Sequence, residues 1–358
     1  MTKLMDVCEI QYGFAFDSKK FTNDSSYPQL VRIRDIKKGY SETFYAGEYS
    51  EDYVLQAGDL LVGMDGEFNI AKWKKDGALL NQRVCKLTAK KGIDEEYLRF
   101  AMARVLKILE HRTSFVTVKH LSARDLNKLE IMIPDLEMQK NISRVLVLFE
   151  KLISCKKEEL NLLDELVKAR FVEMFGDIKN EEKYSGILLG NICKTISGGT
   201  PSTKVTEYYT GDIPWISTVS LGPNHIDGKL AKGYITSLAI KNSATKLIPA
   251  GNILFGTRVG VGKSSINDVE MCTNQDIVAI VDVDECKYNK LFIKCVLDSY
   301  QAYFDSIKKG ATILGVTSDD LKDCLIPNVP INIQNEFVVF VEQVDKSKLQ
   351  VYQYMVAN

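Results

Sequence analysis

The chain has 358 residues, of which 45% are hydrophobic and 26% charged, with a formal net charge of −1. This is the composition of folded protein and excludes global disorder, and the length suits about two or three domains of roughly 100–200 residues. No run reaches the ~18 apolar residues of a membrane span, and Met1-Thr2-Lys3-Leu4-Met5-Asp6 lacks a signal-peptide core, so a cytoplasmic location is expected.

Residues 1–134 read as a mixed domain of short strands. Pro28–Arg34 alternates apolar and polar from Leu30, the period of a half-buried strand, which would set Arg32 and Arg34 on one face with Asp35 beside them. Asp59–Gly63 and Val84–Leu87 are further strand candidates. Between them, Ile70–Lys75 interleaves Lys72, Lys74 and Lys75 with Trp73. Glu95–His111 is a helix with Leu98, Met102, Val105, Leu106 and Leu109 on one face, and Ile131–Pro134 is extended.

From Asp135 to Phe175 there is neither proline nor glycine. Ile142, Val145, Phe149, Leu152, Leu163 and Leu166 follow steps of three and four, interrupted at Lys156 and Glu159, which predicts an amphipathic helix of ~40 residues, about 60 Å long, over 135–178. Gly176-Asp177 ends it, and Lys179–Lys183 reads as a charged linker. Residues 185–329 repeat the first plan: strands at Ile213–Ile216 and Ile277–Val281, and a helix at Leu291–Phe304. In 330–358, Phe337, Phe340, Val344, Val351 and Tyr354 resume a heptad-like pattern, broken at Ser347 and shorter than the central one. The expected fold is α+β: two duplicated mixed α/β domains separated by two long antiparallel helices that form a coiled-coil-like spacer over part of the central helix.

The duplication is written into the residues. Ala57–Gly63 returns as Ala250–Gly256 and Asn81-Gln82 as Asn274-Gln275, both at an offset of 193. Leu4–Cys8 matches Leu189–Cys193, the stretch from Thr117 to Leu126 matches that from Thr312 to Leu321, and Gln139 and Gln334 each open a long helix. A repeat of this length is a duplicated domain and not a solenoid unit of about 20–50 residues. A two-fold protein suggests a two-part target.

Catalytic signatures are weak. Eight cysteines include no Cys-x-x-Cys pair, and with only three histidines (His111, His120, His225) a zinc site is not expected. Gly256–Ser264 imitates a phosphate-binding loop, but five residues separate Gly256 from Gly262 where four are required, and the equivalent Gly63–Glu67 could not hold a triphosphate. No Asn-Pro-Pro-Tyr-like methyltransferase loop occurs, and the acidic residues around Pro134-Asp135 and Glu181-Glu182-Lys183 lie outside both repeated cores.

The polar loops look like a recognition surface. Candidate DNA contacts are Arg32, Arg34, Lys72, Lys74, Lys75 and Lys119 in the first half, and Ser197, Thr200, Ser202, Lys204, Arg258 and Lys263 in the second. With a net charge of −1, such a basic surface must be local. Asn81, Gln82, Asn274 and Gln275 suit adenine, yet residues shared by two halves cannot distinguish two sequences, so they are assigned mainly to the framework.

With Ser197–Pro201, Ile213–Ile216, Thr117–Leu121 and the Pro-to-Gln helix entries (Pro134 to Gln139, Pro327 to Gln334) in duplicate, the chain resembles the specificity subunit of a type I restriction-modification system over essentially its whole length. The resemblance implies two target recognition domains, each reading half of a split DNA site, and helices that dock methyltransferase subunits. It also implies a non-catalytic chain that binds no cofactor itself. S-adenosylmethionine, ATP and Mg are expected on the methyltransferase and restriction/translocase partners. The alternatives are a fused or stand-alone restriction or methylation enzyme, and a duplicated protein-binding adaptor.

Overall fold

The computed structural model describes residues 1–112, 120–177, 183–310 and 313–357, with the side chains of residues 111, 112, 356 and 357 left aside. The chain divides into two compact units, Met1–Ser154 and Cys155–Asn358, the division falling inside the central helix Leu136–Phe175.

In the first unit, β1 (Cys8–Tyr12), β2 (Leu30–Val31), β3 (Leu60–Gly63), β4 (Ile70–Lys72), β5 (Ala78–Leu80) and β6 (Val84–Ala89) precede helix α1 (Glu95–Arg112). A four-stranded antiparallel sheet runs β1-β6-β3-β4, and β2 pairs parallel with β5 beside it. All four residues of β3 are buried because the strand is covered on both faces. Leu60 and Val62 pack with Leu98, Met102 and Leu106 of α1, while Leu61 packs with Val31, Trp73, Leu80 and Val84.

The second unit holds β7 (Lys194–Ser197), β8 (Ile213–Ile216), β9 (His225–Ile226), β10 (Ile253–Gly256), β11 (Ser264–Asn267), β12 (Met271–Thr273) and β13 (Ile277–Val281), followed by helices α2 (Lys290–Ser299) and α3 (Gln301–Ile307). Its main sheet runs β7-β13-β10-β11-β9. Leu60 faces Leu87 and Val62 faces Cys85 in the first unit; Ile253 faces Ile280 and Phe255 faces Val278 in the second, the same register displaced by 193 positions. The parallel pair returns as well, since Val31 opposite Leu80 becomes Ile216 opposite Thr273.

Two paired devices fix the helices. Gln139, 1% exposed, accepts from the Asp94 amide at 2.9 Å and donates to the Pro134 carbonyl at 2.8 Å and the Gly92 carbonyl at 3.4 Å. Gln334, 0% exposed, accepts from the Asn289 amide at 2.9 Å and donates to the carbonyls of Val329 at 2.7 Å and Lys287 at 3.0 Å. Each amide therefore clips the start of a long helix to the turn that opens the shorter helix of its unit. The second device is a capping box, Ser122 with Asp125 and Thr317 with Asp320. The Asp320 carboxyl sits below the usual range because Thr317 donates to it from its side chain and its backbone. This stabilisation is present above the ordinary aspartate value of 3.8 and is lost as pH falls through the lowered folded value. Thr317→Ala should cost about 1 kcal/mol at neutral pH. Urea titrations should show that deficit shrinking below pH 3.8; an unchanged deficit in acid would contradict the charged cap.

Within the second unit the helix Ile331–Ala357 runs antiparallel to the C-terminal part of the central helix. Phe337 packs on Phe171 and Phe175 at ring distances of 5.5 and 5.3 Å, Lys348 meets Asp164 at 2.6 Å, and Lys156 lies 5.7 Å from the Tyr354 ring. Rising numbers on one helix meet falling numbers on the other. The seam differs from the one expected. Ile142, Val145, Phe149, Leu152 and Leu166 are 36, 51, 44, 37 and 47% exposed, Leu163 and Phe340 are half-buried, and Phe337, Val344 and Val351 are buried. On the central helix the buried face instead passes through Leu163, Val167, Phe171 and Phe175, in steps of four. The spacing marks an apolar stripe, and the stretch of it that is covered is the one along which the helix Ile331–Ala357 lies, from Lys156 beside Tyr354 to Phe175 beside Phe337.

Two other expectations change. The strand at Pro28–Arg34 ends at Val31, because Asp35, 2% exposed, accepts from the Arg32 amide at 2.9 Å and turns the chain into the 3-10 helix Ile33–Asp35. Arg32 and Arg34 therefore do not share a strand face. The Leu291–Phe304 helix is broken at Tyr300 into α2 and α3. The Lys179–Lys183 linker falls mostly outside the described residues.

Candidate nucleic-acid interface

At the end of the main sheet in each unit, three pieces of chain meet through the same backbone bonds. In the first, the Met64 amide donates to the Arg83 carbonyl at 2.8 Å and the Leu121 amide to the Met64 carbonyl at 2.7 Å. In the second, the Thr257 amide donates to the Asp276 carbonyl and the Val316 amide to the Thr257 carbonyl, both at 2.8 Å. The Asn-Gln turns lie at this junction. Asn81 and Asn274 are buried while Gln82 and Gln275 are exposed. Asn81 Oδ1 accepts from the Gln82 amide at 2.9 Å, and Asn274 Nδ2 donates to Asp276 at 3.2 Å. Glycine is required opposite each turn: a Cβ on Gly13 would lie 2.0 Å from the Asn81 carbonyl oxygen, and one on Gly198 would lie 2.2 Å from that of Asn274.

Side chains at the junction differ between the halves. Asp65 binds Arg83 at 3.4 Å, and His120 contacts the Asp65 carboxylate and lies 3.1 Å from the Arg83 guanidinium. In the second unit Arg258 binds Asp276 at 3.5 Å. Asp65, Arg83, His120 and Asp276 were not among the sequence candidates. The repeat carries the signal that finds them, since the offset of 193 that joins Asn81 to Asn274 also joins Asp65 to Arg258 and Arg83 to Asp276.

The other candidates are distributed as follows. Lys72 binds Glu95 at 2.9 Å and Glu96 at 3.0 Å; burial opposes its charge, but these two partners outweigh it and raise its pKa. It fastens the start of α1 and is not a free phosphate contact. Trp73, 1% exposed, is core and not a stacking platform. Lys74 lays its stem over Gly39 and donates to the Lys38 carbonyl at 3.1 Å, while Lys75, Arg32 and Arg34 are exposed. Lys119 lies outside the described residues.

In the second unit, Ser197, Thr200, Ser202 and Lys204 are exposed on a loop whose backbone is pinned. Trp215 Nε1 donates to the Gly199 carbonyl at 3.0 Å and the Tyr209 hydroxyl to the Pro201 carbonyl at 2.7 Å, so the loop backbone is held in place despite its two glycines. The Thr200 hydroxyl donates to Gln275. The loop carrying Arg258 and Lys263 closes on itself, with the Gly256 amide donating to the Lys263 carbonyl at 2.8 Å and the Gly262 amide to the Gly256 carbonyl at 3.1 Å. These amides are not free to cradle a phosphate, although both cationic side chains remain exposed.

Burial pushes the thiols of Cys8, Cys193 and Cys272 up to about 11, and those of Cys85, Cys295 and Cys324 up to about 12. These six stay protonated and unreactive at neutral pH. No group of His, Cys, Asp and Glu among the described residues could hold a metal ion, and no helix among them is long and apolar enough to cross a membrane.

The profile of the type I restriction modification DNA specificity domain matches residues 1–165 and again residues 181–353. The EcoBI specificity subunit of a type I restriction enzyme from Escherichia coli is 38% identical over 163 residues, spanning 45% of this chain and 34% of that protein. The EcoR124I/EcoR124II specificity subunit, also from Escherichia coli, is 25% identical over 373 aligned positions, covering 96% of this chain and 89% of the relative. Among solved structures, the S subunit of a type I restriction-modification system from M. genitalium shares the fold, with a TM-score of 0.54 at 14% identity over 99% of this chain and 91% of that one.

Proposed function

Because the chain belongs to the type I restriction modification DNA specificity family, whose domain fills it twice, we propose that it is the DNA-reading subunit of a type I complex. Each unit reads one half of a bipartite DNA site, and the long helices dock the methyltransferase subunits. The observation that carries this reading is the repeated junction. Sheet register, parallel pair and Asn-Gln turn are the same in both units, whereas the charged side chains around the turn differ. A constant frame with variable polar groups suits two readers of two different sequences. The chemistry belongs to the partners: S-adenosylmethionine on the methyltransferase subunits, and ATP and Mg on the restriction/translocase subunit. A cytoplasmic location goes with that assembly.

The test is selection of bound duplexes from a randomised pool by this chain assembled with its methyltransferase partner. The expected result is a motif of two short specified blocks separated by an unspecified spacer, with affinity falling steeply as salt rises. Binding without sequence preference, or preference for one continuous block, would overturn the reading.

A further inference from the structure

We propose that Arg83 and Arg258 are the specificity-determining guanidinium groups of the two units, each aimed by the carboxylate it binds and each reading a guanine. The proposal rests on the DNA-reading role above and names the residues that carry out the discrimination.

The argument starts from a reversal. Positions 65 and 83 hold Asp and Arg, whereas the equivalent positions 258 and 276 hold Arg and Asp. Both pairs close at similar distances, 3.4 and 3.5 Å, so the ion pair survives while its polarity is inverted. The third piece of chain at the junction changes in step. His120 stands against Asp65 in the first unit. Its equivalent, Gly315, leaves room for the longer residue, since a Cβ there would lie 2.9 Å from Arg258 Cγ. Three positions from distant parts of the sequence thus differ as a matched set.

Exposure decides which member of the pair faces outward. The guanidinium side chains are 53 and 54% exposed, and their carboxylate partners only 26 and 17%. Whichever strand end supplies the arginine, the carboxylate forms the inner anchor and the guanidinium is presented to solvent. A pair serving only to staple the turn gives no reason for this constancy, because either orientation would staple equally well. A guanidinium held on one side by a carboxylate keeps donors free for a planar acceptor pair such as O6 and N7 of guanine. The exposed Gln82 and Gln275 adjoin position 83 and position 276 respectively. The glutamine is therefore a chain neighbour of the arginine in the first unit, and of its carboxylate anchor in the second. Moving the guanidinium from one wall of the junction to the other shifts the base it meets relative to the glutamine. The same frame can then read two half-sites.

The experiment uses the full chain assembled with its methyltransferase partner, with bulk affinity and selection from randomised duplexes measured at one salt concentration. Arg83→Gln should relax discrimination by about 10-fold or more at one base pair of one half-site and leave the other half-site unchanged. Arg258→Gln should do the same in the other half-site. The triple variant Asp65→Arg/Arg83→Asp/His120→Gly copies the second unit's arrangement, keeps the ion pair, and should change the base preferred in the first half-site. A uniform loss of affinity with both half-sites intact would assign these arginines to phosphates and overturn the proposal, as would unchanged affinity and preference. A wild-type assembly without a two-block preference would instead sink the DNA-reading role itself.

Discussion

Replacing Phe337 with alanine is expected to remove about 3–5 kcal/mol from the second unit, the cost of deleting a buried aromatic side chain in a packed core. The ring is 0% exposed and meets Phe171, Phe175 and Phe292 at centroid distances of 5.5, 5.3 and 6.4 Å. These partners come from the central helix and from α2, so the four rings join the two long helices to the unit's core. Phe171, Phe175 and Phe292 are themselves buried and packed, so a cavity there has few ways to collapse. For a unit of this size each kcal/mol corresponds to about 2–4 °C, so the melting temperature should drop by about 6–20 °C. Phe337→Leu, which keeps most of the volume, should lose less than half as much. Calorimetry of both variants checks the claim, and a loss under about 1 kcal/mol for the alanine variant would show that this joint does not hold the helices.

Gln334→Leu should be nearly as damaging for a different reason. Volume is preserved, but the Asn289 amide and the carbonyls of Lys287 and Val329 lose their partner in a site closed to water. Leaving buried polar groups unmatched costs about 1–3 kcal/mol each, and partial relaxation brings the expected total to about 3 kcal/mol. The duplication supplies its own control, because Gln139→Leu removes the equivalent clip on Asp94, Gly92 and Pro134. Urea unfolding should show each substitution destabilising its own unit by a comparable amount. If either variant unfolds like the wild type, the clip is dispensable in that unit.

Much of the architecture was legible because both kinds of signal involved are local. The absence of proline and glycine from Asp135 to Phe175 announces the central helix, observed at Leu136–Phe175, and the echo of Ala57–Gly63 in Ala250–Gly256 announces a sheet built twice. The seam was only partly legible. Phe337, Val344 and Val351 are buried, but on the central helix Ile142, Val145, Phe149 and Leu152 lie exposed and Phe171 and Phe175 do the packing. Apolar spacing marks a stripe, and which stretch of it meets a partner depends on where the second helix sits.

The candidate interface shows the same division. Lysine and arginine in loops were visible as residue types, yet Lys72 is held by Glu95 and Glu96 and Trp73 is buried, because sequence does not show which charges will find each other across a fold. The junction of Asp65, Arg83 and His120 joins chain segments far apart in sequence, as does that of Arg258 and Asp276 with Gly315.

The residue pattern alone shows the duplication, the long helical segments and the strands at Leu60–Gly63, Val84–Ala89, Ile213–Ile216 and Ile277–Val281, since periodicity and turn chemistry act over a few residues. Long-range packing sets which face of the central helix is covered, which charges are neutralised within each unit and which guanidinium groups point outward. These outcomes follow from pairing across long separations, where burial selects among partners that the local pattern leaves equivalent.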